Sequence, residues 1–117
     1  MVITPVELAR VRYIEYDYWD ELSGGTRLAV DAATRIHAGV TPFGVSNDGV
    51  LAMAQAVANG ARLPPLILVT TGRGGDDLVV LEGHVRLTAF MLVHDRLPPG
   101  LEVLVGSSPT MARWDCW

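Results

Sequence analysis

The pattern of hydrophobic and polar residues changes near the middle of the chain. Up to about residue 60, apolar residues recur at helical spacing between small turn residues, whereas short uninterrupted apolar runs appear afterwards. The first pattern is typical of amphipathic helices and the second of buried strands. The sequence therefore predicts a mainly helical first half and a small sheet in the second half.

The chain opens with a strong helix signal. Thr4 offers a capping hydroxyl, Pro5 suits the first turn, and Glu7 stands where a capping box needs its acid. Residues 11–22 are ambiguous, because their aromatic residues favour a strand while their charges do not alternate. Residues 23–25, Ser-Gly-Gly, end whatever element precedes them.

Two longer helices are predicted next. One opens at Thr26 or Asp31 and continues to about His37, and the other is capped by Ser46 or Asn47 and ends at the next Asn-Gly pair. The second of these helices has a broad apolar face that we expect to be buried. That face comprises Val50, Leu51, Met53, Ala54, Val57 and Ala58.

The second half alternates between strands and a helix. In order, the predicted elements are strands at 66–70 and 78–81 joined by a hairpin loop at 71–77, a helix from His84, a strand at 101–105 and a short helical turn carrying Trp114 and Trp117. This order predicts one domain over residues 1–117 with a mixed α/β (α+β) fold, in which helices pack on a short sheet.

Composition narrows the classes of function. The formal net charge is −4 and all nine basic residues are arginines. The chain therefore lacks the broad basic face that drives DNA binding. Arginine without lysine reflects either a GC-rich genome or selection for forked contacts to anions.

Targeting and redox signals are sparse. No apolar stretch reaches the ~18 residues that a membrane span needs, and the first residues lack the layout of a secretion signal. We therefore expect a cytoplasmic protein. Cys116 stands alone, so it predicts neither an internal disulfide nor a cysteine zinc site.

The best candidate for a ligand site is the turn at residues 82–86, Glu-Gly-His-Val-Arg. The strand delivers the chain to Glu82, and Gly83 permits a sharp turn and a close approach by another group. The helix that follows presents unpaired N–H groups and the positive end of its dipole. Arg86 lies one turn in and can fold back over the same place, and Thr88 adds a hydroxyl. Together these groups predict a site for an anion such as phosphate.

The alternative interpretation of this turn is structural. In that case Glu82 lies near the positive end of the helix and Arg86 forms a surface ion pair. A glycine before a helix is common, so local physics alone leaves both interpretations open.

The stretch 63–92 resembles the core of the ParB/sulfiredoxin-like superfamily. Members have a proline-led strand, a hairpin, a second strand, and Gly-x-x-Arg at the start of a helix. Chromosome-partition ParB proteins carry Gly-Glu-Arg-Arg-x-Arg-Ala at this place. Gly83, Arg86 and Ala89 match that motif, whereas Thr88 stands where a further arginine is usual.

The motif is most similar to that of the free-serine kinases, which carry Asp-Gly-x-His-Arg or Asp-Gly-His-His-Arg. Sulfiredoxins carry a reactive cysteine where this chain has His84, and Cys116 is far away in sequence, which argues against sulfinic-acid repair. The resemblance implies that the motif holds the phosphates of ATP, ADP or CTP. The residues implied to bind are Gly83, His84, Val85, Arg86 and Thr88. Partition ParBs need later magnesium ligands and a DNA-reading domain, so their clamp function is not implied.

Two further groups of residues are candidates for the site. In the turn at residues 23–27, Thr26 and Arg27 either close over the same ligand or belong to a plain loop. Aromatic residues of the segment 13–19 either stack on a ligand ring or pack in the core. If the protein is an enzyme, Glu82 or a carboxylate of this segment takes a proton from a substrate hydroxyl, and His84 supplies acid–base chemistry. No pair of histidines has metal-ligand spacing.

The sequence thus supports a nucleotide-phosphate-binding domain, with Mg²⁺ as a further candidate cofactor and phosphoryl transfer or nucleotide hydrolysis as candidate activities. The alternative is a non-catalytic module that keeps the fold and binds a ligand or a protein. DNA processing ranks third, because the net charge is acidic. A nucleotide or another small phosphorylated ligand is therefore the expected partner, and a protein partner stays open.

Overall fold

The computed structural model describes residues 1–72 and 77–117 and has a mixed α+β fold, as predicted. The four strands are β1 (Val2–Ile3), β2 (Leu66–Thr70), β3 (Val79–Glu82) and β4 (Leu101–Ser107). The α-helices are α1 (Pro5–Leu8), α2 (Asp17–Ser23), α3 (Ala29–His37), α4 (Asp48–Ala58) and α5 (His84–Leu92), and short 3₁₀ turns lie at Pro42–Gly44, His94–Arg96 and Met111–Arg113.

The sheet has the strand order β1-β4-β2-β3. At its centre β2 and β4 run parallel, with Leu66 opposite Val103 and Thr70 opposite Ser107. β3 is antiparallel to β2, and β1 is antiparallel to β4. The end of β3 therefore lies at the same edge of the sheet as the starts of β2 and β4. This topology sets the turn at Gly83 beside the segments that lead into both central strands.

One hydrophobic core joins the helices to the sheet. It contains side chains from each of the α-helices and strands named above. The burial of their apolar area is the main contribution of the core to the stability of the fold. Its members include Ile3, Leu8, Leu22, Ile36, Val57, Leu66, Leu68, Val80, Leu87, Phe90 and Val103. Among the described residues, no helix combines the length and the apolarity that crossing a membrane requires.

The predicted capping box at the first helix is confirmed. The Thr4 hydroxyl accepts a hydrogen bond from the Glu7 N–H at 3.2 Å, and the Glu7 carboxylate accepts one from the Thr4 N–H at 3.0 Å. The backbone hydrogen bond from Thr4 is also the main reason that the pKa of Glu7 is lowered.

The sheet differs from the prediction in one strand. Strand β1 was not predicted, because two residues carry no periodic signal and its partner, Leu101–Ser107, lies at the far end of the sequence. The strand predicted at 66–70 is confirmed, the second begins and ends one residue later than predicted, and the last extends to Ser107. Residues 73–76 of the predicted hairpin loop lie outside the described residues. Next to them, Asp77 accepts hydrogen bonds from the side chains of Thr70 and Thr71.

The ambiguous segment 11–22 forms both an extended piece and a helix. Arg12 makes isolated bridges to Leu28 and Val79, so it extends pairing beyond β3, and α2 begins after it. Helix α3 begins at Ala29, hence neither Thr26 nor Asp31 is its cap. The prediction was wrong because the residue at the cap position, Leu28, has an extended backbone and forms no side-chain hydrogen bond to the helix. The start of α3 therefore carries no capping residue that the sequence could show.

Helix α4 is confirmed, but its buried face is narrower than predicted. Only Ala54 and Val57 in it are buried, and Leu51 is 41% exposed. The two candidate caps of α4, Ser46 and Asn47, form different hydrogen bonds. The Ser46 hydroxyl accepts from the Asp48 N–H at 3.1 Å, whereas the Asn47 side chain donates to the Val40 carbonyl at 2.7 Å.

Candidate functional site

The first turn of α5 is open, as the sequence predicts. Gly83 precedes it with φ +106°, in the left-handed region that favours glycine, and the Leu87 N–H donates to the Gly83 carbonyl at 2.8 Å. No side chain caps the helix, and the N–H groups of residues 84–86 have no acceptor in the part of the chain that the structure describes. These donors and the helix dipole favour a negative group at this place.

Arg86 folds back over Gly83. A Cβ placed on Gly83 would stand 2.9 Å from Arg86 Nη2 and 3.0 Å from Nε, and 2.6 Å from Leu66 Cδ2. Arg86 Nε is buried and has no hydrogen-bond partner. Within the described ranges Arg86 makes no ion pair, so the surface ion pair that the structural alternative requires is not formed. Glu82 is exposed. The guanidinium is therefore held next to the helix start with its charge uncompensated.

His84 is the second unsatisfied group at the turn. Its Nε2 atom is buried without a hydrogen-bond partner. Its ring stacks on Trp19, with centroids 5.2 Å apart and planes inclined by 20°, and lies 6.1 Å from the ring of Tyr13. Burial lowers the pKa of His84 from its usual 6.5, although the charge of Glu82 opposes the shift. The imidazole is thus neutral at pH 7.

Thr88 is 1% exposed and supports the helix start from inside the protein. Its hydroxyl donates to the His84 carbonyl at 2.8 Å. Because that bond uses the proton of Thr88, the buried Tyr13 hydroxyl donates to Thr88 Oγ1. The protons of both hydroxyls are therefore used within the protein. Thr88 has no hydroxyl proton left to donate to a ligand, although the sequence predicts that it would.

Thr26 and Arg27 lie in a tight loop that supports Tyr13. The Thr26 hydroxyl donates to the Ser23 carbonyl and accepts from the Leu28 N–H. Arg27 has φ +62°, and its Nε and Nη2 both donate to the Tyr13 carbonyl, at 3.0 and 2.8 Å. These bonds favour the plain-loop interpretation of the turn, and they link it to α5 through Tyr13.

The acidic residues of the aromatic segment lie close to one another. A hydrogen bond to Asp20, and the charge of Asp20, raise the pKa of Glu15, while Arg27, 3.8 Å from Glu15, opposes this shift. Within residues 1–72 and 77–117, no group of three or more histidine, cysteine or carboxylate side chains is arranged to hold a metal ion.

Two cavities lined by described residues lie beside α5. The first cavity has a volume of about 610 Å³ and includes Leu66, the residue whose side chain also touches Gly83. Its polar lining side chains are Arg62, Arg96 and Glu102. The second cavity has a volume of about 420 Å³ and a mostly apolar lining, formed by Tyr18, Trp19, Leu22, Val45, Ser46, Gly49, Val50, Val85 and Thr88.

Sequence reasoning found the turn but missed how Tyr13 and Trp19 contribute to it. The aromatic segment was recognised as a candidate for stacking on a ligand or for core packing, yet its stack on His84 joins residues more than sixty positions apart. The only sequence signal was the density of rings. A scan of family models, a search of curated proteins and a search of solved structures found no match to this chain.

Proposed function

We propose that this domain binds the phosphate of a nucleotide at the first turn of α5. The observation that carries the proposal is the guanidinium of Arg86, which is folded over Gly83 with its Nε buried and without an acceptor. A buried donor without a partner costs free energy on the order of 1–3 kcal/mol. A bound phosphate oxygen would satisfy it together with the free N–H groups of residues 84–86.

The first cavity supports a nucleotide over free phosphate as the ligand. Its volume, about 610 Å³, lies in the range of small-molecule sites. Leu66 lines this cavity and also lies next to Gly83, and Phe90 of α5 offers an aromatic wall. Arg62, Arg96 and Glu102 supply donors and acceptors for a sugar or a base.

His84 is the group best suited to proton transfer in this site. Its imidazole is neutral at pH 7 because burial lowers its pKa, and Nε2 has no partner. A neutral imidazole can accept a proton from an attacking hydroxyl or water. Exposed Glu82 is the second candidate base. We therefore propose phosphoryl transfer or nucleotide hydrolysis as the reaction class to assay, with and without Mg²⁺.

The test is thermal unfolding with ATP, ADP, CTP or inorganic phosphate, each with and without Mg²⁺. At ten times Kd, a ligand should raise Tm by roughly 5 °C, against a sodium chloride control of equal ionic strength. Arg86→Ala should abolish the shift. Arg113→Ala removes the same charge from an exposed residue outside the site and should keep it. If no nucleotide shifts Tm at millimolar concentration, the proposal fails.

A further inference from the structure

The second cavity has the size and the walls of a separate small-molecule site. Its volume of about 420 Å³ lies within the usual range for ligand pockets. Helix α2 contributes Tyr18, Trp19 and Leu22, and α5 contributes Val85. The start of α4 closes the remaining side.

The residues that line this cavity include hydrogen-bond donors without a partner. The N–H groups of Gly49 and Val50, in the first turn of α4, have no acceptor among the described residues. The Ser46 hydroxyl accepts from Asp48, so its own proton is left for another partner. A Cβ on Gly49 would meet no atom within 4 Å, which shows that the space in front of this turn is open. The matching ligand group is therefore an acceptor.

The charges around the cavity favour an uncharged acceptor over an anion. Two of the three helices that line it have acids in their first turns, Asp17 and Asp20 in α2 and Asp48 in α4. Among the residues that the structure describes, no lysine, arginine or histidine lines it. These acids offset the positive end of the dipole in α2 and α4, whereas the first turn of α5 has no acid, so an anion gains less here than at α5 and a carbonyl oxygen is favoured.

Trp19 connects this cavity to the ring stack. Tyr13 and His84 lie 4.6 and 5.2 Å from Trp19 but only 6.1 Å from each other. The distance between the Tyr13 and His84 rings is too short for them to stack on opposite faces of the indole. Both rings therefore lie on the same face of Trp19. Tyr18 meets the indole edge-on at 4.8 Å. Because Trp19 also lines the cavity, its fluorescence should report an occupant.

We propose that the second cavity binds a small uncharged molecule that has an aromatic ring and a carbonyl group. The ring packs against Trp19, Tyr18 and the aliphatic wall. The carbonyl oxygen accepts from the first turn of α4 and from Ser46. The hydrogen bonds of this site form at the start of α4 and those of the phosphate site at the start of α5, so the two proposals can fail independently.

The test is titration with benzamide, followed by tryptophan fluorescence. We expect a saturable change at about millimolar benzamide, as befits a fragment of this size, and its loss in Trp19→Phe, which keeps Trp114 and Trp117. Benzoate, which matches benzamide in shape but carries a charge, should bind about tenfold more weakly. Arg86→Ala should leave benzamide binding unchanged.

A cavity-filling variant and a matched control separate binding from folding. Gly49→Leu puts a helix-favouring side chain into the open space and should abolish the benzamide response without lowering Tm. Ala52→Leu adds the same side chain at an exposed position of the same helix and should keep the response. An unchanged response in Gly49→Leu, no saturable response in the native chain, or tighter binding of benzoate would each overturn the proposal.

A second copy of the chain is the competing occupant. Phe43 is 70% exposed and lies two residues before Val45 of the cavity wall. Dimers that dissociate in Phe43→Ser, combined with no response to benzamide, would assign the cavity to that side chain and overturn the proposal.

Discussion

The guanidinium of Arg86 occupies the space that a side chain at Gly83 would need. The guanidinium nitrogens lie 2.9 and 3.0 Å from the position that a Cβ on Gly83 would take. The glycine is therefore needed twice, once for its φ of +106° and once for the room it leaves. The position of the charged group at the start of α5 thus depends on the absence of a side chain three residues earlier.

Gly83→Ala should destabilise the protein and remove the nucleotide-induced shift in Tm. A non-glycine residue at this φ costs about 1–3 kcal/mol, and the new methyl group would also collide with Leu66 and Arg86. We expect Tm to fall by roughly 4 °C or more in thermal unfolding. Gly106→Ala is the matched control, because a Cβ there meets no atom within 4 Å and the glycine has no positive φ. An unchanged Tm in Gly83→Ala would contradict the described turn.

Tyr13→Phe should lower stability by about 1 kcal/mol, because Thr88 loses the hydroxyl that donates to it in a buried site. The ring stays, so the stack on Trp19 should persist in near-ultraviolet circular dichroism. Urea unfolding measures the loss. Tyr16→Phe removes the same hydroxyl from a side chain that is 60% exposed and should have no effect. Equal effects of the two variants would refute the hydrogen bond.

Stability should fall as the pH drops through the range below about 6.5, the pKa of an unperturbed histidine. In the folded protein burial lowers the pKa of His84, so the unfolded chain takes up the proton first and proton binding favours unfolding. The contribution is fully present above pH 6.5 and is lost as the pH falls toward the folded pKa.

Urea unfolding at several pH values, with His84→Gln as the comparison, isolates this contribution from that of the carboxylates. The variant should show a shallower decline between pH 7 and 5. Parallel profiles for the two proteins would mean that His84 keeps an ordinary pKa.

Thr4→Ala should cost about 1 kcal/mol, because it removes the hydroxyl that accepts a hydrogen bond from the Glu7 N–H at the helix start. The expected fall in Tm is roughly 4 °C. Thr34→Ala serves as the control, since Thr34 is exposed inside α3 and alanine is the better helix former. Tm should therefore hold or rise in that variant. A loss of the same size in both variants would count against the cap.

Local signals carried the prediction where the structure itself is local. Three features were predicted because each is formed by residues only a few positions apart in the sequence. They are the capping box at Thr4, the apolar run of β2 and the glycine before α5. Gly83 and Arg86 were placed together from helix geometry alone, and the contact between them agrees with that placement.

Pairing across the sequence was beyond the same reasoning. Strand β1 has too few residues to show a pattern, and the bridges of Arg12 depend on Leu28 and Val79. The sequence predicted that the Thr88 hydroxyl is available to a ligand, because its partner, Tyr13, lies 75 positions away in the sequence. The broad face predicted for α4 was wrong because helical periodicity shows which side is apolar and not how much of it meets a neighbour.

The pairing of β1 with β4 has a consequence for how the chain is made. During synthesis, residues 2 and 3 leave the ribosome long before their partners in β4, Leu101 and Glu102. The parallel pair β2–β4 waits for the same stretch. Nascent chains that end before residue 101 would hold unpaired strands and an exposed core surface. Acquisition of the native state should therefore be a late event that follows synthesis of the fourth strand, and shorter nascent chains should remain sensitive to protease until then.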